Sequence, residues 1–206
     1  MTGDQRRRFR ATCPAIFFGR SRRLLATIAA TVLWAAAAAP DAPSAPASKP
    51  TEYQVKAAYL FNFGKFIRWP SAAKSDSFSI CVLGRDPFGP VLEATFSGET
   101  IEGRKVVPVR VARAQDAAAC QIVFISASES ARLNEIFAAL AKASVLTVSD
   151  MPHFTERGGM IQFLLEGDRV RFEVNLAAAQ RAGLNPSSEL LKVATTVRTT
   201  PRRESE

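Results

Sequence analysis

The chain has 206 residues, 47% of them hydrophobic and 22% charged, with 27 Lys+Arg against 19 Asp+Glu. Residues 1–39 hold seven of the 27 basic residues and one of the 19 acidic ones, which leaves 20 against 18, so the formal +8 belongs to the amino terminus. A near-neutral remainder with Lys and Arg scattered among acids lacks the basic face that nucleic-acid binding needs, and no nucleic-acid partner is expected.

Arg6, Arg7, Arg8, Arg10, Arg20, Arg22 and Arg23 precede an apolar run, Leu24 to Ala39, that closes on alanines. A basic start, a run shorter than the roughly 20 residues that span a bilayer, and small residues at its end are the marks of an export signal. We read residues 1–39 as a signal peptide cleaved near Ala37–Ala39, which delivers the protein to the periplasm; Ser21-Arg22-Arg23-Leu24-Leu25 loosely matches a twin-arginine pattern. Residues 40–50 form a Pro/Ala/Ser tether, residues 51–198 one domain, and residues 199–206 a polar, disordered tail.

The folded part opens at Thr51, which makes a capping box with Gln54. Val55, Tyr59, Phe63, Phe66 and Ile67 follow at helical spacing until Trp69-Pro70 and predict a helix with that stripe buried. Phe78–Leu83 reads as a strand, Gly84–Gly89 as a turn into a short helix through Val91 and Leu92, and Lys105–Val111 as a strand whose Pro108 suits an edge or bulge. Gln121–Ser126 is a strand, Ser128 caps a helix carrying Leu133, Ile136, Phe137 and Leu140, and Ser144–Val148 is a strand again. Met160–Leu165 and Val170–Leu176 form an antiparallel hairpin through Glu166-Gly167-Asp168. A helix through Ala177–Arg181 stops at Gly183, and Asn185-Pro186 opens another carrying Leu190, Leu191 and Val193. This order predicts the α/β class, a three-layer α/β/α sandwich with a mostly parallel sheet and one antiparallel hairpin.

In such sheets ligands bind beyond the carboxyl ends of the strands, which here present Arg85, Asp86, Ser126, Ser128, Ser149, Asp150 and His153. A hydrolase reading fails, because no G-x-S-x-G elbow is present and Ser149, Asp150 and His153 crowd one short loop. Arg85, Ser126 and His153 remain candidates for lining a small-ligand crevice. Gly84 and Gly89 have P-loop spacing, but Pro90-Val91 replaces the Lys and Ser/Thr that hold phosphate and Mg²⁺. One histidine and scattered carboxylates give no metal site, and no cofactor is expected.

Cys13 leaves with the signal, and Cys81 and Cys120 remain. In an oxidising compartment they are either a disulfide or two buried thiols, since both lie in apolar strand-like runs. On the hairpin, Val170, Phe172 and Val174 alternate with Arg169, Arg171 and Glu173, while both faces of the partner strand are substantially apolar. If helices cover both faces, these residues are core; if not, Ile161 and Phe163 form a partner surface with Arg171 and Glu173 as its polar rim.

Lys56-Ala-Ala-Tyr-Leu-Phe-Asn-Phe-Gly-Lys-Phe-Ile-Arg-Trp-Pro70, Ile80-Cys-Val-Leu-Gly-Arg-Asp-Pro-Phe-Gly89, Gly158-Gly-Met-Ile161, Val170-Arg-Phe-Glu-Val-Asn-Leu176 and Leu190-Leu-Lys-Val-Ala194 resemble the YfiR family, also known as DUF4154, over residues 52–198. The resemblance implies a periplasmic α/β protein, often a homodimer, without known enzymatic activity. In the family's best-understood type, the protein represses an inner-membrane diguanylate cyclase by binding its periplasmic sensor domain. An OmpA-like outer-membrane lipoprotein relieves the repression by sequestering the repressor. Cys81 and Cys120 stand where the family has a cysteine pair, which implies a disulfide; a second pair found in some relatives, around Gly158-Gly159, is absent here. The expectation is a regulatory binding protein in cyclic-di-GMP signalling, with a small-ligand receptor as the alternative.

Overall fold

The computed structural model describes residues 49–70 and 76–199. The proposed signal peptide, the tether up to Ser48 and the tail from residue 200 lie outside the described residues.

The capping box forms as read: the Thr51 hydroxyl accepts from the Gln54 N–H at 3.3 Å, and the Gln54 side chain accepts from the Thr51 N–H at 2.7 Å. It starts α1 (Glu52–Phe66), whose buried positions are Lys56, Ala57, Leu60, Phe63 and Gly64. Of the expected stripe, Phe63 and Ile67 are buried and Val55 and Tyr59 pack half-buried against the same core, whereas Phe66 is 42% exposed. At Gly64 an added Cβ would overlap Ile101 and crowd the Phe78 ring, so the helix comes close to the sheet at this small residue. After α1 the chain forms β1 (Ile67–Arg68), which pairs antiparallel with β9 (Asn185–Pro186). Asn185-Pro186 therefore makes a strand, and the cap of the last helix is Ser187.

The main sheet is built on β2 (Ser77–Leu83). β4 (Arg104–Val111) pairs parallel on one side of it and β5 (Ile122–Ile125) parallel on the other. β6 (Leu146–Ser149) and β7 (Ile161–Glu166) extend the parallel run beyond β5. β8 (Arg169–Asn175) returns antiparallel from β7 as the expected hairpin, and β10 (Thr196–Arg198) adds a parallel edge strand. At the opposite edge β3 (Thr100–Ile101) covers only the first two residues of β4, so Pro108 faces no strand on its outer side among the described residues. β1, β3, β9 and β10 are not among the expected strands, because runs of two or three residues carry no periodicity.

Alternation along the strands divides the interior. Phe78, Ile80 and Val82 of β2 with Ile122 and Phe124 of β5 face one core, shared with α1, α2 (Val91–Phe96), α5 (Leu176–Arg181) and α6 (Ser188–Val193). Cys81 and Leu83 with Val123 and Ile125 face the other, shared with α3 (Ala114–Ala117) and α4 (Leu133–Leu140). The result is a three-layer sandwich with a mostly parallel sheet.

This layering corrects the hairpin surface. Ile161 is 0% exposed and Phe163 2%, and Phe163 packs at 5.8 Å from Phe63 of α1, so both are core rather than partner surface. Glu173, expected on a rim, is 7% exposed, because the segment between β6 and β7 folds over that face of the hairpin. Of the four residues, Arg171 alone is exposed.

Cys81 and Cys120 are joined in a disulfide with their Cα atoms 6.1 Å apart, linking β2 to the turn before β5 across the second core. Gly158 and Gly159 serve different needs. Gly158 has φ +110°, where a side chain is strained, whereas Gly159 has no such dihedral but would drive an added Cβ into the ring of Phe154.

Two outcomes follow from this packing. Reducing the disulfide should lower stability by about 2–4 kcal/mol in denaturant titrations, and thiol labelling of denatured, unreduced protein should find neither Cys81 nor Cys120 free. Gly159→Ala should cost about 1–3 kcal/mol, because Phe154 is fully buried and leans on Phe137 at 5.8 Å.

Candidate functional site

The chain passes from β2 to β4 on one side and then to β5 on the other, so the place where a ligand would enter such a sheet is between the carboxyl ends of β2 and β5. Here the chain itself closes it. After Ile125, Ser126 caps a 3-10 turn, Ala127–Arg132, by accepting from the Ser128 N–H, and the Ser128 hydroxyl accepts from the Arg85 N–H at 2.9 Å. Gly84, with φ +89°, passes so close that an added Cβ would lie 2.6 Å from the Ser128 hydroxyl and 2.7 Å from Glu129.

The three crevice candidates are thereby accounted for. Ser126 is the cap in place of the expected Ser128, and Arg85 lies beside it through its main chain with an exposed side chain. His153 stands apart on the segment after β6, with φ +59°, a side chain 72% exposed and Nδ1 2.9 Å from Glu156. They do not converge on a crevice. Ser149 donates to the Ile125 carbonyl at 2.7 Å and accepts from the Met151 N–H at 3.1 Å, so its hydroxyl is engaged with main chain and the loop forms no Ser-His-Asp relay.

What occupies the carboxyl end is a group centred on Lys56, which is not among the expected site residues. Lys56 is 3% exposed, with Nζ 2.5 Å from Glu52 and 2.7 Å from Asp150. Its ammonium lies 4.6 Å from the centre of the Tyr53 ring, and the Tyr53 hydroxyl donates to Asp150 at 3.3 Å. Tyr53 packs edge-on to Phe88 at 5.3 Å, and Phe88 to Phe124 of β5 at 4.9 Å. Burial works to lower the Lys56 pKa, but the hydrogen bonds to Asp150 and Glu52 and their charges outweigh it and leave the value raised. Burial and the neighbouring Asp150 carboxylate also raise the Tyr53 phenol. The group pins α1 to the segment after β6. The legible signal was the Glu52/Lys56 spacing of four on one helix face; the partner 94 residues away was not legible.

A second such centre is Arg110 on β4, which donates to Asp86 at 2.9 Å, to the Gly89 carbonyl at 2.7 Å and to Glu93 of α2. The hydrogen bond from Arg110 holds the Glu93 carboxyl below its usual value. A third lies under the hairpin, where Glu173 accepts from the Thr155 hydroxyl and Asn175 donates to the Thr155 carbonyl at 2.9 Å. Arg198 of β10 lies 3.1 Å from Glu156 and 3.6 Å from Glu173. Among the described residues no cluster of His, Cys, Asp and Glu is placed to hold a metal ion.

The family model described as DUF4154, YfiR/HmsC-like, matches residues 53–195, which include both cores, the disulfide and the three charge centres except for Glu52 and Arg198. The chain belongs to the YfiR/HmsC-like family. Among solved structures, a conserved domain protein from Vibrio cholerae O1 biovar El Tor shares the fold with a TM-score of 0.53 at 12% identity. The match covers 73% of this chain and 62% of that one, so this chain spans about three fifths of the length of the solved protein. An ABC domain in complex with L-Trp from Streptococcus pneumoniae matches at 12% identity and a TM-score of 0.42, over 58% of this chain and 55% of that one.

The Lys56 pin makes a testable demand. Because folding raises the pKa values of Lys56 and Tyr53, the stability they contribute is fully present below their ordinary values of 10.5 and 10.0 and is lost as pH rises through the folded values. Melting temperature should therefore fall above about pH 10. Lys56→Met should cost roughly 2–3 kcal/mol at neutral pH, less than for a fully buried pair because Glu52 and Asp150 each meet solvent on one side, and should flatten part of the alkaline loss.

Proposed function

We propose that this YfiR/HmsC-like protein is a periplasmic regulatory binding protein that restrains an inner-membrane diguanylate cyclase by contact with its periplasmic sensor domain. In this reading it works as a homodimer, and an OmpA-like outer-membrane lipoprotein relieves the restraint by sequestering it. The observation that carries the reading is the family match over residues 53–195. A disulfide between the two cysteines of the domain fits an oxidising compartment.

The site geometry is in keeping with contact rather than chemistry. Lys56, Arg110 and Glu173 are each matched by charges of the same chain, and Ser149 is bonded to main chain, so the carboxyl end of the sheet offers a shaped, internally neutralised surface. Restraint then needs only differential binding: a repressor that holds the inactive sensor about 1.4 kcal/mol more tightly than the active one shifts the ratio tenfold.

In this reading the contact surface lies at the tip of the hairpin instead of its base. β7 pairs with β6 only at Ile161 and Gln162, so Phe163–Glu166 and the facing part of β8 project past the carboxyl end of β6. Leu165 near that tip is 58% exposed, and Arg171, on the opposite face of the hairpin, is exposed too.

The mature domain immobilised on resin should retain a diguanylate cyclase from detergent-solubilised inner membranes, and deleting its gene should raise cellular cyclic-di-GMP. Leu165→Asp should weaken that capture about tenfold without lowering the melting temperature. Unchanged cyclic-di-GMP on deletion, together with no cyclase on the resin, would overturn the assignment.

A further inference from the structure

β8 is the last long strand on its side of the sheet, and its outer edge is only partly covered. β10 pairs with Glu173–Asn175, and the Thr195 N–H donates to the Phe172 carbonyl at 2.8 Å, while among the described residues nothing pairs with Arg169–Arg171 on that side. β10 has three residues and none of them is buried. A strand so short, with so little apolar surface to bury, belongs to the least stable part of a fold.

Its charged anchor is Arg198, which reaches Glu156 and Glu173 but leaves its Nε buried without an acceptor, so the anchor is incompletely satisfied. Glu173 has the opposite character. It is a buried carboxylate that takes a hydrogen bond from Thr155 and has Arg198 as the cation facing it. A buried carboxylate is stabilised by a cation facing it. The β8 edge thus makes two demands that are not specific to β10: a strand to pair with, and a positive side chain over Glu173. A longer segment meets both better, because it also pairs with Arg169–Arg171.

We propose that β10 is an exchangeable strand, and that the β8 edge Arg169–Asn175 is the docking site for an extended segment of a protein partner carrying an arginine or lysine that replaces Arg198 over Glu173. Main-chain pairing supplies affinity and the buried carboxylate selects the basic side chain. Exposed Arg169 and Arg171 favour acidic residues at the other end of the incoming segment. The proposal deepens the regulatory reading and rests on it for the existence of a partner.

The test uses the whole protein and a fluorescein-labelled peptide with the sequence of residues 193–199, read by anisotropy. Arg198→Ala protein, whose own β10 has lost its anchor, should bind the peptide about tenfold more tightly than wild type. The same peptide with alanine in place of its arginine should bind about tenfold more weakly, and adding Glu173→Gln to the protein should abolish that difference. Folded Arg198→Ala protein that binds neither peptide, or both equally, overturns the proposal. If Arg198→Ala does not fold, amide exchange in the wild type decides: Thr195 and Val197, whose N–H groups face β8, must exchange by local opening, well ahead of β2 and β5, and exchange only through global unfolding refutes an exchangeable strand. No cyclase enters these measurements, so failure to capture a cyclase defeats the regulatory reading alone, and failure of the peptide arms defeats the strand exchange alone.

Discussion

β2 is hydrogen-bonded along both edges, to β4 and β5, and buried on both faces, and the rest of the structure follows from that double enclosure. A strand in this position cannot show the simple alternation of a half-exposed strand, since every second side chain needs a core of its own. Two cores result, one under α1 and one under α4, and each recruits the helices that its apolar area demands. The disulfide leaves β2 on the α4 side, tying the centre of the sheet to the turn where β5 begins. The short 3-10 turn that covers the carboxyl ends of β2 and β5 completes the enclosure at that end.

The charged side chains repeat the same logic over longer distances. Lys56 joins the first helix to the segment after β6, Arg110 joins β4 to α2, and Arg198 joins the last strand to the hairpin and the segment that covers it. Each links elements that the apolar cores alone would leave free to shift. Their orientation-dependent bonds set position where hydrophobic packing, which is not directional, sets proximity. For a protein read as acting by contact, this is the property that matters: a rigid outline that a partner recognises, with the reactive potential of its polar groups absorbed internally. The exception is the C-terminal edge, where β10 is short and its anchor incompletely bonded. Flexibility confined to one edge of a stiff body is a physical route to regulated binding, because the same strand positions can be taken by the protein's own chain or by another.

Much of the architecture was legible in the residues. The capping box at Thr51 and Gln54, the strand at Phe78–Leu83, the hairpin through Gly167-Asp168 and the helix stop at Gly183 rest on local rules that act over a few residues, and all four stand in the structure. Pro108 was read as an edge residue for the same reason: a missing donor is a property of the residue itself. The apolar stripe of α1 was legible except for Phe66, which meets solvent, whereas the close approach at Gly64 was not, because it depends on the Ile101 and Phe78 side chains that the helix meets. The candidate site suffered more, since sequence position placed Arg85, Ser126 and His153 at strand ends but could not say that they point apart.

The sequence by itself determined the α/β class, the order of the long elements and, through separate family blocks, membership in the YfiR/HmsC-like family, because each depends on periodicity, caps or runs of residues contained within a short stretch. Only the tertiary structure decided which groups meet. That Lys56 finds Asp150, that Glu173 lies under Thr155 and Arg198, and that Ile161 and Phe163 serve the core depends on strand order and on a loop folding back over the hairpin. The alternation of a β-strand tells which side chains share a face, but not what covers that face, and coverage is settled by elements distant in the chain.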